Sequence, residues 1–274
     1  MAGTGRRAAG AGAVLAAFPL ALILFVWAAG PVSARLFAVG EFTSIGGVNT
    51  TQAAVWSDGE WSRFGVEGST GFNGSLWQHT LATFSNRIYV GGLFTKADNQ
   101  TATNLASAAV GQAWAPVGTG CDDAVAALAA FRGRLYIGGL FNACGGVLVN
   151  RVASYDGVSA APSPLGSGAA GGAGVYTFIE YQEKLFIGGI FAAMNGTSVG
   201  SVALWDGDKF LDAPVRVSGS GTVIVRVFAA TQGKLYIGGW FSQVTTSTST
   251  ISVSNLVEYN GNTGEVRRLG QRTF

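Results

Sequence analysis

Few residues in this 274-residue chain could carry chemistry, and their spacing narrows the choice. There is one histidine, His79. A histidine-based metal site needs several ligands, and a serine-histidine-carboxylate triad needs a nucleophile held beside the imidazole. No Gly-x-Ser-x-Gly stretch supplies one. Glu180 and Glu183 are the only close pair of glutamates, and they sit in a turn region. Such a pair does not flank a sugar cleft as glycosidase carboxylates do. Asp58, Asp156, Asp206 and Asn260 suggest calcium at first sight. Each stands at a tight turn instead, and no Asp-x-Asp-x-Asp-Gly loop is present. The sequence therefore predicts no catalytic residue, no metal site and no cofactor.

Two cysteines remain, Cys121 and Cys144. They flank an expected antiparallel strand pair, so a disulfide and two unpaired small residues are both open readings. Four Asn-x-Ser/Thr sequons, at Asn49, Asn73, Asn99 and Asn195, fall in expected loops. They are glycosylation candidates if the chain is exported.

Export is what the N-terminus predicts. Arg6 and Arg7 precede an apolar run from Val14 to Ala29, Gly30-Pro31 breaks it, and Val32-Ser33-Ala34 offers small residues for a signal peptidase. Residues 1–34 read as a signal peptide. The uncharged span is also long enough to serve as an uncleaved anchor, giving membrane attachment. Either way the body, 35–274, is expected to be secreted or to lie on the extracellular face of a membrane. Without the leader, 15 Lys and Arg balance 15 Asp and Glu. A neutral body with no basic stripe excludes a nucleic-acid partner as the expectation.

The elements that must position any site follow from an internal repeat. The anchor Leu36-Phe-Ala-Val-Gly-Glu-Phe42 returns as Ile88-Tyr-Val-Gly-Gly-Leu-Phe94, Leu135-Tyr-Ile-Gly-Gly-Leu-Phe141, Leu185-Phe-Ile-Gly-Gly-Ile-Phe191 and Leu235-Tyr-Ile-Gly-Gly-Trp-Phe241. Units thus start near 36, 88, 135, 185 and 235. Each anchor is rich in β-branched and aromatic residues. After a variable loop, a second strand ends in an aromatic and a turn dipeptide, as in Tyr155-Asp156-Gly157, Trp205-Asp206-Gly207 and Tyr259-Asn260-Gly261. These dipeptides suit a type I′ hairpin. A third strand ends in glycine, and a fourth, apolar strand leads into the next anchor through a turn such as Gln232-Gly233. The fold expected is all-β, with about five four-stranded blades arranged as a β-propeller behind the leader. Stacked sheets would bury each other's aromatics, among them Trp56, Tyr155, Trp205 and Tyr259.

The Ile-Gly-Gly anchor, the Tyr-Asp or Trp-Asp before a turn and the following Trp-x-x-Val/Phe-Gly resemble the kelch and galactose-oxidase-like propeller repeat. With Gly-Gly-x-Phe, Trp-Asp-Gly and Leu-Gly-x-Gly, the exported cortical polarity-marker type, linked to bud-site selection, is the most similar. The resemblance covers roughly 35–270 and implies a fold more than a role. Galactose-oxidase copper chemistry does not carry over, since it needs two histidines. The chain departs from the pattern at Val110-Gly111, which replaces the Asp-Gly turn, and at Ala161-Pro162, which replaces the tryptophan after the turn. It begins at an anchor after the cleavage site and ends past the third strand at Gly270, leaving the first unit without an innermost strand. The expectation is that further blades lie in a longer protein.

His79 aligns with Ala126, Tyr176 and Arg226 on the innermost strands, so His79, Tyr176 and Arg226 are candidates for lining a central channel. The function expected is a non-catalytic surface scaffold that binds an unidentified protein or glycan through blade loops. The alternative is a secreted carbohydrate oxidase or glycosidase on the same frame. The stretches 95–104, 142–150 and 242–252 differ most between units.

Overall fold

The computed structural model describes residues 26–28, 35–74 and 80–269. The described residues form strands, turns and bends, with no helix. None is therefore a helix long and apolar enough to cross a membrane. His79, most of the leader and Gly270 lie outside the described residues.

Five four-stranded antiparallel sheets follow one another along the chain. In the third to fifth, the order is inner strand, anchor strand, third strand and outer strand. The fourth sheet is typical: Gly174–Tyr181, Lys184–Ile190, Val202–Trp205 and Phe210–Leu211. Inner and anchor strands join through two consecutive left-handed residues, here Gln182 and Glu183 (φ 49° and 57°). That is the type I′ geometry whose twist matches the flanking strands. In the first sheet the inner place is filled by Val26–Ala28, which pair with Arg35–Val39. The first sheet does have a fourth strand beside its anchor, and it comes from within the stretch that the sequence reads as a leader rather than from the far end of the chain.

The turns after the strand that ends in the aromatic (Val202–Trp205 in the fourth sheet) differ from the sequence reading. Only Asp58-Gly59 forms a two-residue turn with both residues left-handed (φ 53° and 92°). At Asp156 one carboxylate oxygen accepts from Val158 N and Ser159 N, at 2.9 and 2.8 Å. Asp206 does the same for Asp208 N and Lys209 N, and Asn260 Oδ1 for Asn262 N and Thr263 N. A side-chain oxygen that bonds the backbone two and three residues on builds an Asx turn, which removes the need for a left-handed aspartate. These bonds hold the Asp156 carboxyl at a pKa of about 2, the Ser159 hydroxyl contributing most.

Each sheet packs on the next. The inner strands Thr80–Phe84, Val125–Phe131, Gly174–Tyr181 and Ile224–Thr231 are neighbours in that order. Aromatic pairs cross every junction: Phe64 with Trp114 (4.9 Å between centroids), Tyr89 with Tyr155 (6.3 Å) and Tyr181 with Tyr259 (6.5 Å). At the third junction Trp205 Nε1 donates to Tyr136 Oη at 2.9 Å. Tyr155, Trp205 and Tyr259 are buried, so the aromatic before each turn belongs to the core, while Trp56 is half-buried and stacks on Trp61.

The loops after the anchors are a second layer of small hairpins. They comprise Ser44–Ile45 with Val48–Asn49, Lys96–Ala97 with Gln100–Thr101, Ala143–Cys144 with Val147–Leu148, Ala193–Met194 with Thr197–Ser198, and Gln243–Thr246 with Thr250–Ser252. In three units a strand from the preceding linker adds to the hairpin: Phe72–Asn73, Ala169–Ala170 and Val215–Ser218. In the third unit Cys121 takes that place as a single bridge to Cys144, and the two sulfurs are bonded.

Candidate interaction surface

All the small hairpins stand at the end of the large sheets where the anchor strand finishes and the third strand begins. In four of the five an inner residue is buried, and Ala97, Cys144, Met194 and Val244 hold those hairpins to their sheets; in the first, Ile45 is only half-buried. Their second strands are exposed free edges whose side chains differ from unit to unit. Gln100 and Thr101 project in the second unit, Val147 and Leu148 in the third, Thr197 and Ser198 in the fourth. Leu148 is 66% exposed. In the fifth, Thr245, Thr246, Thr248, Ser249 and Thr250 form a hydroxyl cluster. A constant buried foot with a variable exposed edge is how a rigid scaffold presents recognition residues.

The four sequons belong to this same layer. Asn49 lies on a free edge, Asn99 and Asn195 at hairpin tips, and Asn73 on an added strand. All four are exposed. The Asn73 amide is engaged at both ends by Thr95, its Nδ2 donating at 2.9 Å and its Oδ1 accepting from Thr95 N at 3.1 Å. Asn195 Oδ1 accepts from Ser167 N at 3.0 Å.

Tyr176 and Arg226 occupy the same end. Each sits at a register shift in its inner strand, between Val175 and Thr177 and between Val225 and Val227. Ala126 stands at the equivalent shift between Val125 and Ala127. A β-bulge re-aims the extra side chain out of the ladder. The Arg226 guanidinium carbon lies 4.9 Å from the Tyr176 ring centroid. Such a cation–π contact at a partly exposed site contributes about 0.5–1 kcal/mol and leaves the guanidinium donors open to an acceptor. Two of the three channel candidates thus come together; the third, His79, lies outside the described residues.

No three His, Cys, Asp or Glu side chains gather among the described residues. Glu183 sits in the tight inner turn, where its carbonyl accepts from Arg132 Nη2, and Glu180 is exposed on the strand. Open depressions of about 180 Å³ beside Trp240 and about 350 Å³ beside Phe210 are lined by neither Tyr176 nor Arg226.

No protein-family model matches the chain. No curated protein matches it either. Among solved structures, a glycosyl hydrolase from Bacteroides ovatus is similar over 88% of this chain and 84% of its own, at 12% identity and a TM-score of 0.35. So loose a superposition bears on neither fold nor activity.

The hairpin layer stands where the sequence predicts loops. The signal that could have found it is the dipeptide at three of the five tips: Gly46-Gly47 (φ 55° and 80°), Gly145-Gly146 (φ 64° and 77°) and Asn195-Gly196 (φ 49° and 75°) are type I′ turns.

Proposed function

We propose that this chain is a five-bladed, propeller-type surface scaffold that binds a protein or glycan through the hairpin end of its blades. The observation that carries the reading is the layer of hairpins, four of them buried at the same position and divergent at the exposed edge. The repeat, the side-by-side sheets and the resemblance to exported kelch-type propellers support the architecture. The leader and the four sequons support a position outside the cell. Glycans at Asn49, Asn99 and Asn195 would occupy the first, second and fourth hairpins. The third and fifth would stay bare, with Val147 and Leu148 on one and the hydroxyl cluster on the other. Tyr176 and Arg226 add an aromatic face and a donor fork at the same end.

The test is binding of the secreted chain to immobilised cell-wall polysaccharides and cell-surface proteins. Binding that Leu148→Glu or Arg226→Ala weakens at least tenfold supports the reading. Absence of any binder, or binding that ignores both substitutions, overturns it. Peroxide release or glycoside cleavage by the purified chain would favour the enzyme alternative.

A further inference from the structure

Four of the small hairpins turn through two residues: Gly46-Gly47, Asp98-Asn99, Gly145-Gly146 and Asn195-Gly196. In three of them the first residue of the pair is closed against the outer strand of its own large sheet. A β-carbon at Gly46 would fall on Trp61 Cδ1, and one at Gly145 would lie 2.5 Å from Ala161 Cβ. Asp98 closes the same space with its carboxylate. Its Oδ1 accepts from Thr70 N at 3.0 Å and its Oδ2 from Trp114 N at 2.9 Å.

Asn195 holds this place in the fourth unit and leaves it open. Its Oδ1 accepts from Ser167 N at 3.0 Å, the counterpart of the bond between Asp98 and Thr70. The counterpart of Asp98 Oδ2 is then Asn195 Nδ2, on the side of Phe210, which stands where Trp114 stands in the second unit. An amide nitrogen cannot accept from a backbone N–H. No described residue accepts from Nδ2 either. A depression of about 350 Å³ opens there, lined by Met194, Thr197, Lys209, Phe210 and Asp212 among others. Met194 and Thr197 flank the Asn195-Gly196 tip, and Thr197 is the hydroxyl residue of its sequon.

We propose that a glycan on Asn195 seats its first sugar in this depression, against the Phe210 ring. The proposal rests on the exported reading above. A host transferase joins Nδ2 to the anomeric carbon of N-acetylglucosamine; Nδ2 gives up one proton, and the lipid diphosphate carrier leaves. Oδ1 keeps its bond to Ser167 N throughout, so the amide that bears the sugar is held. The negative face of the ring meets the C–H face of the pyranose. Lys209 and Thr197 offer donors to its hydroxyls, and Asp212 an acceptor. The covalent tether supplies the effective concentration that so open a site needs. Asn99 makes the contrast. It is second in its pair, where β-carbons at Gly47, Gly146 and Gly196 would meet nothing within 4 Å. A sugar on Asn99 stands in solvent.

The chain secreted from a glycosylating host tests this, with occupancy read from glycopeptide masses and each glycan trimmed to its first sugar. Asn195 is expected to be occupied. Thr197→Ala removes that sequon and should lower the unfolding midpoint by about 2–4 °C in a chain of this size. The same substitution should do nothing to the chain made without glycans. Thr101→Ala, which removes the Asn99 sequon, should leave the midpoint in place. Phe210→Leu keeps an apolar side chain on Trp205 and removes the ring; in that background Thr197→Ala should no longer matter. A bare Asn195 beside any occupied sequon overturns the proposal alone. So does an occupied Asn195 with no midpoint shift, a sugar effect that survives Phe210→Leu, or a Thr197→Ala cost that persists without glycans. If all four sequons are bare, the exported reading falls with it.

Discussion

Cys121 and Cys144 are bonded at the position where the neighbouring units set Ala169 against Met194 and Val217 against Val244. The second unit places Phe72 against Ala97 there. Large faces small, or medium faces medium, so each pair fills the same buried gap. The disulfide is one solution to a packing problem that four units share.

Cys121→Ser with Cys144→Ser is expected to cost about 2–4 kcal/mol, since it frees the unfolded chain and puts hydroxyls in a buried pair site. Cys121→Val with Cys144→Val, copying Val217 and Val244, is expected to recover the packing share of that loss. Chemical denaturation of the two variants, with and without reductant, checks the ranking.

Tyr181 ties two sheets together. Its hydroxyl donates to Gly233 O and accepts from Gly261 N at 2.8 Å. Tyr181→Phe keeps the ring and strands both backbone groups, at an expected cost of about 1–2 kcal/mol by the usual penalty for an unmet bond. Tyr236→Phe, whose hydroxyl has one partner beside solvent, should cost less in the same melt.

Glycine at the junctions gives a paired comparison. Gly188→Ala would drive a β-carbon into Val225 and Phe228 of the next sheet, and about 1–3 kcal/mol of destabilisation is expected from overpacking. Gly238→Ala meets the tip of Val227, an exposed side chain free to turn away. Its midpoint should move little.

Acid should weaken the fifth sheet through Glu258. The Lys234 ammonium bonded to it, with the Tyr236 hydroxyl, holds its carboxyl below the ordinary glutamate range. A depressed carboxyl contributes stability that is complete above the unfolded pKa and disappears as pH falls through the folded one. Unfolding midpoints from neutral down to acid pH should therefore drop less steeply in Glu258→Gln than in the parent chain.

The large sheets were legible because the anchor strands are buried on both faces, and the same short apolar run therefore returns in every unit. Leu135, Tyr136 and Ile137 recur as Leu185, Phe186 and Ile187 with the same partners. The small hairpins were not, because two-residue strands such as Ala193–Met194 have no period and only their tips speak. The meeting of Tyr176 with Arg226 was half legible. Alignment put them at equivalent places, but a contact between adjacent strands depends on the bulges, which sequence does not mark. The inner strand of the first sheet was hidden for another reason: an apolar run that reads as a leader has the same composition as a buried strand.

A row of sheets that lean on one another shares its cohesion between neighbours. The fifth sheet has one such neighbour among the described residues, and Leu256 and Trp240 are exposed there, so it is where breathing begins. Amide exchange should quicken along Leu256–Asn260 before it reaches Val152–Tyr155, and a protease that waits for frayed backbone should nibble from that flank inward.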